Sequence, residues 1–119
     1  MFRFIKRLGY AFSGLILLIR TERHFQIHVI AFMLVILTGS FLKISHMDWV
    51  ALLLLSGFVL VAEAINSSIE RLSDEITKDY NLQIKHVKDI AAGAVLITVF
   101  IAVAGGIIIF YPHLEKLFH

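Results

Sequence analysis

Three apolar segments separated by short polar stretches dominate the chain, at residues 25–42, 49–70 and 90–111. Each is close to or above the ~20 residues that a helix needs to cross a hydrocarbon core. The last carries no charge at any of its twenty-two positions, and Pro112 behind it is expected to end it. Ahead of them, residues 2–20 put Arg3, Lys6 and Arg7 on one helical face and Ile5, Phe12, Leu15 and Ile16 elsewhere. That is the pattern of an amphipathic helix lying at a membrane surface. A basic start and an apolar run also describe a secretory signal peptide, but Arg20, Glu22 and Arg23 follow at once and no small-residue cleavage site is present. Residues 43–48 read as a short polar turn. Residues 71–89 read as a helix end, a turn near Asp79-Tyr80-Asn81 and a return to the membrane. The expected fold is all-α: a single membrane domain over residues 1–119, with an interfacial helix at 2–20 and three transmembrane helices.

Composition strengthens the membrane reading. The chain is 59% hydrophobic with a mean hydropathy of +0.86 and a single proline, far more apolar than an ordinary soluble domain. The absence of cysteine excludes disulfides, thiol catalysis and Cys-ligated metal. Nine of the eleven Lys and Arg fall within residues 3–23 and 71–88. These basic blocks flank apolar runs and form no soluble basic face, so they fix membrane orientation and argue against a nucleic-acid partner. Both blocks belong on the cytoplasmic side, which gives a cytoplasmic N-terminus and an extracytoplasmic C-terminus.

Charge also interrupts the second apolar segment. After fourteen uncharged residues (49–62) come Glu63, Asn66, Ser67, Glu70 and Asp74, which share one helical face at about 100° per residue. The predicted topology brings Glu22, Lys88 and Asp89 to the same cytoplasmic level. Taken singly, Glu70, Asp74, Lys88 and Asp89 read as solvated helix-end residues. Glu63 does not, because it lies about two turns, or ~10 Å, deeper than Glu70. A carboxylate within a transmembrane segment costs roughly 2.5–3.5 kcal/mol, so it is normally paired, metal-bound or in a wet cavity. Glu63 is therefore the candidate general base, with Asn66 one turn away to orient it.

Other motifs add little. His24 and His28 have i, i+4 spacing but no HExxH pattern and no third ligand, so His28 reads as an interfacial polar residue. Gly9 and Gly14 have P-loop spacing, but Leu15-Ile16 stand where Lys and Ser or Thr are required. Any nucleotide must be held by metal-bridging carboxylates and basic groups.

The block Glu63-Ala64-Ile65-Asn66-Ser67-Ser68-Ile69-Glu70, with Asp74 four residues on and Lys88-Asp89 opening the last span, resembles the small bacterial membrane lipid kinases of the prokaryotic diacylglycerol kinase and undecaprenol kinase family. The resemblance runs from Arg3 and Gly9-Tyr10 to the third span. It implies an ATP-dependent kinase of the bacterial cytoplasmic membrane, a homotrimer with active sites shared between neighbouring subunits. By match of motif, Glu63 would take the proton of the lipid hydroxyl, and Glu22 and Glu70 would hold Mg²⁺ against the ATP phosphates. Arg3, Tyr10, Asp79, Tyr80, Asn81, Lys88 and Asp89 match nucleotide-contacting positions, and Asn66 a supporting one. Two departures concern the lipid: His28 replaces a further glutamate of the diacylglycerol kinase archetype, and residues 20–28 resemble undecaprenol kinases. Diacylglycerol is the first expected acceptor and undecaprenol the second. From another class, a non-enzymatic bundle or proton-conducting subunit would use Glu63 and Asn66 only to bridge helices.

Overall fold

The computed structural model describes residues 1–119 as four helices: α1 (Phe2–Thr21), α2 (Arg23–Leu42), α3 (His46–Ile76) and α4 (Leu82–Phe118). Helices α2, α3 and α4 are each long and apolar enough to cross a membrane. Helix α1 is the amphipathic element; it has no buried residue and meets the rest of the chain mainly through α2. The extended backbone of Glu22 separates α1 from α2, and Gln26 fastens the joint by donating its side-chain amide to the Ile19 carbonyl at 2.7 Å.

The turn between α2 and α3 is shorter than the polar stretch at 43–48 suggested, because helix resumes at His46. Lys43 adopts the left-handed conformation that commonly ends helices (φ 53°), and its N–H bonds to the Gly39 carbonyl. Ser45 caps α3 by accepting from the Asp48 N–H at 3.1 Å. Gly39 has to be small here, since a Cβ would lie 2.9 Å from the Trp49 ring. Of the glycines in the last span, Gly105 plays the close-packing role, because a Cβ there would overlap Leu55 Cδ1; Gly93 and Gly106 face open space.

Helix α3 ends at Ile76, and Asn81 starts α4 by accepting from the N–H groups of Gln83 (3.0 Å) and Ile84 (3.1 Å). The turn near residues 79–81 is thus present, and it folds α4 back along α3 in the main packing of the molecule. Pro112 does not end α4, which continues to Phe118. The proline removes only one backbone bond, and bilayer helices tolerate such losses where neighbouring groups re-satisfy the backbone. His113 Nδ1 lies 3.0 Å from the Ile109 carbonyl beside that interruption.

Little of this apolar chain is covered. Only 12 of 119 residues are buried, and the central cluster is small: Ile44, Leu52 and Ile109, flanked by Trp49 and Phe110. Leu37, Phe58 and Ile108 remain exposed on the outer faces. A chain with so much uncovered apolar surface requires lipid or further protein around it.

Candidate active site

The inward face of α3 changes character along its length. Its buried residues are Leu52, Val59, Glu63, Asn66, Ser67 and Ser73, all on one stripe at helical spacing. The stripe is apolar up to Val59 and polar from Glu63 onward. Glu63 is 4% exposed and Asn66 6%; Glu70 is half-buried and Asp74 exposed, while Ser73 beside it stays buried.

The partners differ from the expected ones. Asn66 does not orient Glu63; its Nδ2 donates to Glu70 Oε1 at 3.2 Å, leaving its buried Oδ1 without a partner. Spacing explains this, because four residues put Asn66 and Glu70 one above the other on a helix. Glu63 meets α2 instead. His28 Nε2 lies 3.5 Å from Glu63 Oε2, the one basic side chain within 4 Å of it. His28 is thus a site-facing group that sequence spacing had placed at the interface. Its position opposite a glutamate of the archetype was the one signal available.

Glu22, at the α1–α2 joint, is held by a residue outside the expected set. Arg71 donates from Nε to Glu22 Oε1 at 2.9 Å and from Nη2 to Thr21 Oγ1 at 2.7 Å, and its guanidinium forms an ion pair with Glu22 (Nη2–Oε1 2.8 Å). This contact ties the joint to the end of α3. At the start of α4, Lys88 Nζ meets Asp74 Oδ1 at 2.5 Å and Lys85 Nζ meets Asp89 Oδ2 at 2.6 Å. The charged ends of α2, α3 and α4 therefore do meet at one end of the molecule.

One hollow lies at this end, and another runs from His28 away from it as far as Leu114. A polar recess of about 280 Å³ gathers Asp79, Tyr80, Asn81, Lys88 and Asp89 with Lys85. Asn81 has a structural duty there as well, since its Oδ1 caps α4. The other is an apolar cavity of about 470 Å³ between α2, α3 and α4, lined among others by Phe32, Val59, Val99 and Phe110. His28 is part of its wall and also lies 3.5 Å from Glu63. Arg3 and Tyr10 join neither hollow; both stand exposed on α1, Tyr10 at 73%. No three His, Asp or Glu side chains converge into a metal cage.

Fold and site together define a small helical membrane protein in which charged groups of α2, α3 and α4 meet at one end, with an apolar cavity between the same helices. The sequence matches the family described as prokaryotic diacylglycerol kinase over residues 9–110. It is 37% identical over 112 residues to the undecaprenol kinase of Bacillus subtilis (strain 168), covering 94% of this chain and 91% of that protein. It is 30% identical over 111 residues to the diacylglycerol kinase of Escherichia coli (strain K12), covering 93% and 91%. The diacylglycerol kinase of Synechocystis sp. is 34% identical over 108 residues, which are 89% of this chain and 62% of that protein. The chain belongs to the prokaryotic diacylglycerol kinase family. It is a bacterial membrane lipid kinase that takes its phosphate from ATP, and the reading as a non-enzymatic bundle is set aside.

Proposed function

We propose that the acceptor is diacylglycerol, phosphorylated to phosphatidic acid, with Glu63 as the general base. The observation that carries the assignment is the burial of Glu63 against His28, which lines the apolar cavity, about two helical turns from Glu70. Taking Trp49 as one membrane boundary, Glu63 stands about 21 Å along α3 and Glu70 about 32 Å. In a hydrocarbon core ~30 Å thick, that gives Glu63 a depth of about 9 Å inside the apolar layer and leaves Glu70 at its edge. A lipid hydroxyl reaches the first depth and a phosphate the second. The hydroxyl gives its proton to Glu63 as its oxygen bonds to the γ-phosphorus. The bond from phosphorus to the bridging oxygen breaks, and its electron pair leaves with ADP.

Glu22 and Glu70 are the proposed Mg²⁺ ligands. Two carboxylates without a preformed cage suit Mg²⁺, which kinases hold through one or two carboxylates plus substrate phosphates. When bound, the ion neutralises phosphate charge, the main demand of phosphoryl transfer. The polar recess supplies Asp79, Tyr80, Asn81, Lys88 and Asp89 for the nucleotide. Lys88 and Lys85 already have carboxylate partners, but such largely solvated pairs are worth only ~0–1 kcal/mol. Exchange of those partners for phosphate oxygens therefore costs little.

Arg3 and Tyr10 complete the nucleotide site from a neighbouring subunit in a homotrimer. Their isolation on α1 and the sparse burial of the single chain support this arrangement. The Lys and Arg distribution supports a cytoplasmic N-terminus. A reporter fused after His119 is expected outside the cytoplasm, and one inserted beside Asn81 inside. The reverse result would remove the common cytoplasmic level of Glu22, Glu70 and Lys88.

A second acceptor, undecaprenol, is favoured by the 37% identity to an undecaprenol kinase against 30% to the E. coli diacylglycerol kinase. Purified protein given Mg-ATP and either lipid alcohol decides between them by the phosphorylated product. Diacylglycerol is expected to give the higher kcat/KM; a large excess for undecaprenol would reassign the acceptor.

A further inference from the structure

We propose that His28 is the positioning residue for Glu63, holding its carboxylate beside the wall of the apolar cavity so that one oxygen stays free for the acceptor hydroxyl. This rests on the assignment of Glu63 as the base.

Glu63 has three side-chain torsions and no hydrogen bond to fix them, because the amide one turn along the helix is taken by Glu70. A base must nevertheless be held within hydrogen-bond reach of the proton it removes. His28 is the one basic side chain placed to do this, and it approaches from a different helix, so it can fix the carboxylate relative to the cavity as well as to α3. The closest approach is to Oε2. With its proton on Nε2, a neutral imidazole donates to Oε2 and leaves Oε1 able to receive the acceptor's proton. The 3.5 Å separation is longer than a formed hydrogen bond. Catalytic contacts of this kind are often long without substrate and tighten when it binds.

The surroundings supply the second half of the inference. Of the sixteen residues lining the apolar cavity, thirteen are hydrophobic, and His28 lies where that lining reaches Glu63. A lipid tail within the cavity would bring its hydroxyl past the imidazole to the carboxylate. His28 is itself only partly exposed, with 23% of its side-chain surface open, so its ring is confined by neighbours.

The test uses the full chain in lipid nanodiscs with Mg-ATP and a diacylglycerol or polyprenol acceptor. His28→Leu is expected to lower kcat about 10²-fold, the scale of a misplaced reacting group, with the KM for Mg-ATP within about twofold of wild type. His28→Gln keeps an N–H donor of similar reach and is expected to recover most of the loss. Added to Glu63→Gln, His28→Leu should slow the enzyme little further, because the two side chains act as a unit. A wild-type kcat in His28→Leu overturns the proposal, and so does a His28→Gln enzyme as slow as His28→Leu. If His28→Leu fails to assemble, His28→Ala compared with His28→Gln reads the same difference. Failure of the wild-type protein to phosphorylate either acceptor would instead strike at the acceptor assignment, whatever His28 does.

Discussion

Glu63→Gln is expected to reduce kcat by about 10²–10⁴-fold, the usual contribution of a general base. Assembly into the proposed trimer and Mg-ATP affinity should stay near wild type. Glutamine is nearly isosteric, so the buried stripe of Val59, Glu63, Asn66 and Ser67 keeps its packing. Its side-chain oxygen can still accept from His28, but it cannot take up the acceptor's proton. Removing a buried charge also removes a desolvation cost, so the folded chain should lose no stability. Product formation, nucleotide binding and thermal unfolding in detergent check the three parts separately. Near wild-type turnover would refute the base assignment, and loss of assembly alone would give Glu63 a structural role.

The second large effect concerns the metal. Glu22→Ala and Glu70→Ala are each expected to raise the Mg²⁺ concentration for half-maximal activity by about 10–100-fold, since interactions with charged groups are worth roughly 1.5–3 kcal/mol. Both side chains already have protein partners, so each needs a control. Glu22→Ala also releases Arg71, whereas Arg71→Gln opens the same contact but leaves the carboxylate in place. Arg71→Gln should therefore leave the Mg²⁺ requirement nearly unchanged. Glu70→Gln preserves an acceptor for Asn66 while removing the charge, and it should behave like Glu70→Ala. Activity titrated against Mg²⁺ at fixed ATP measures all four variants. An unchanged requirement in Glu22→Ala and Glu70→Ala would return both to solvated helix-end residues.

Much of this molecule is local physics and can be read from the chain. Helix α1, the three long apolar helices and the turn near residues 79–81 follow from hydrophobic runs, the basic flanks and the capping of α4 by Asn81. So does the polar face of α3, because residues three and four apart necessarily share one side of a helix. Pro112 shows where a local rule gives way: a single lost bond cannot end a helix whose neighbouring turns remain paired. What the sequence could not supply is which group meets which across helices. Asn66 turns to Glu70 although Glu63 is one residue closer in sequence, and Glu63 finds His28, thirty-five positions away, only because α2 packs against α3. Arg71 reaches Glu22 for the same reason. Such contacts depend on the relative placement of rigid helices, which periodicity along one chain does not encode. The tertiary structure alone decided that the buried Glu63 has an imidazole beside it, and that this imidazole also lines an apolar cavity.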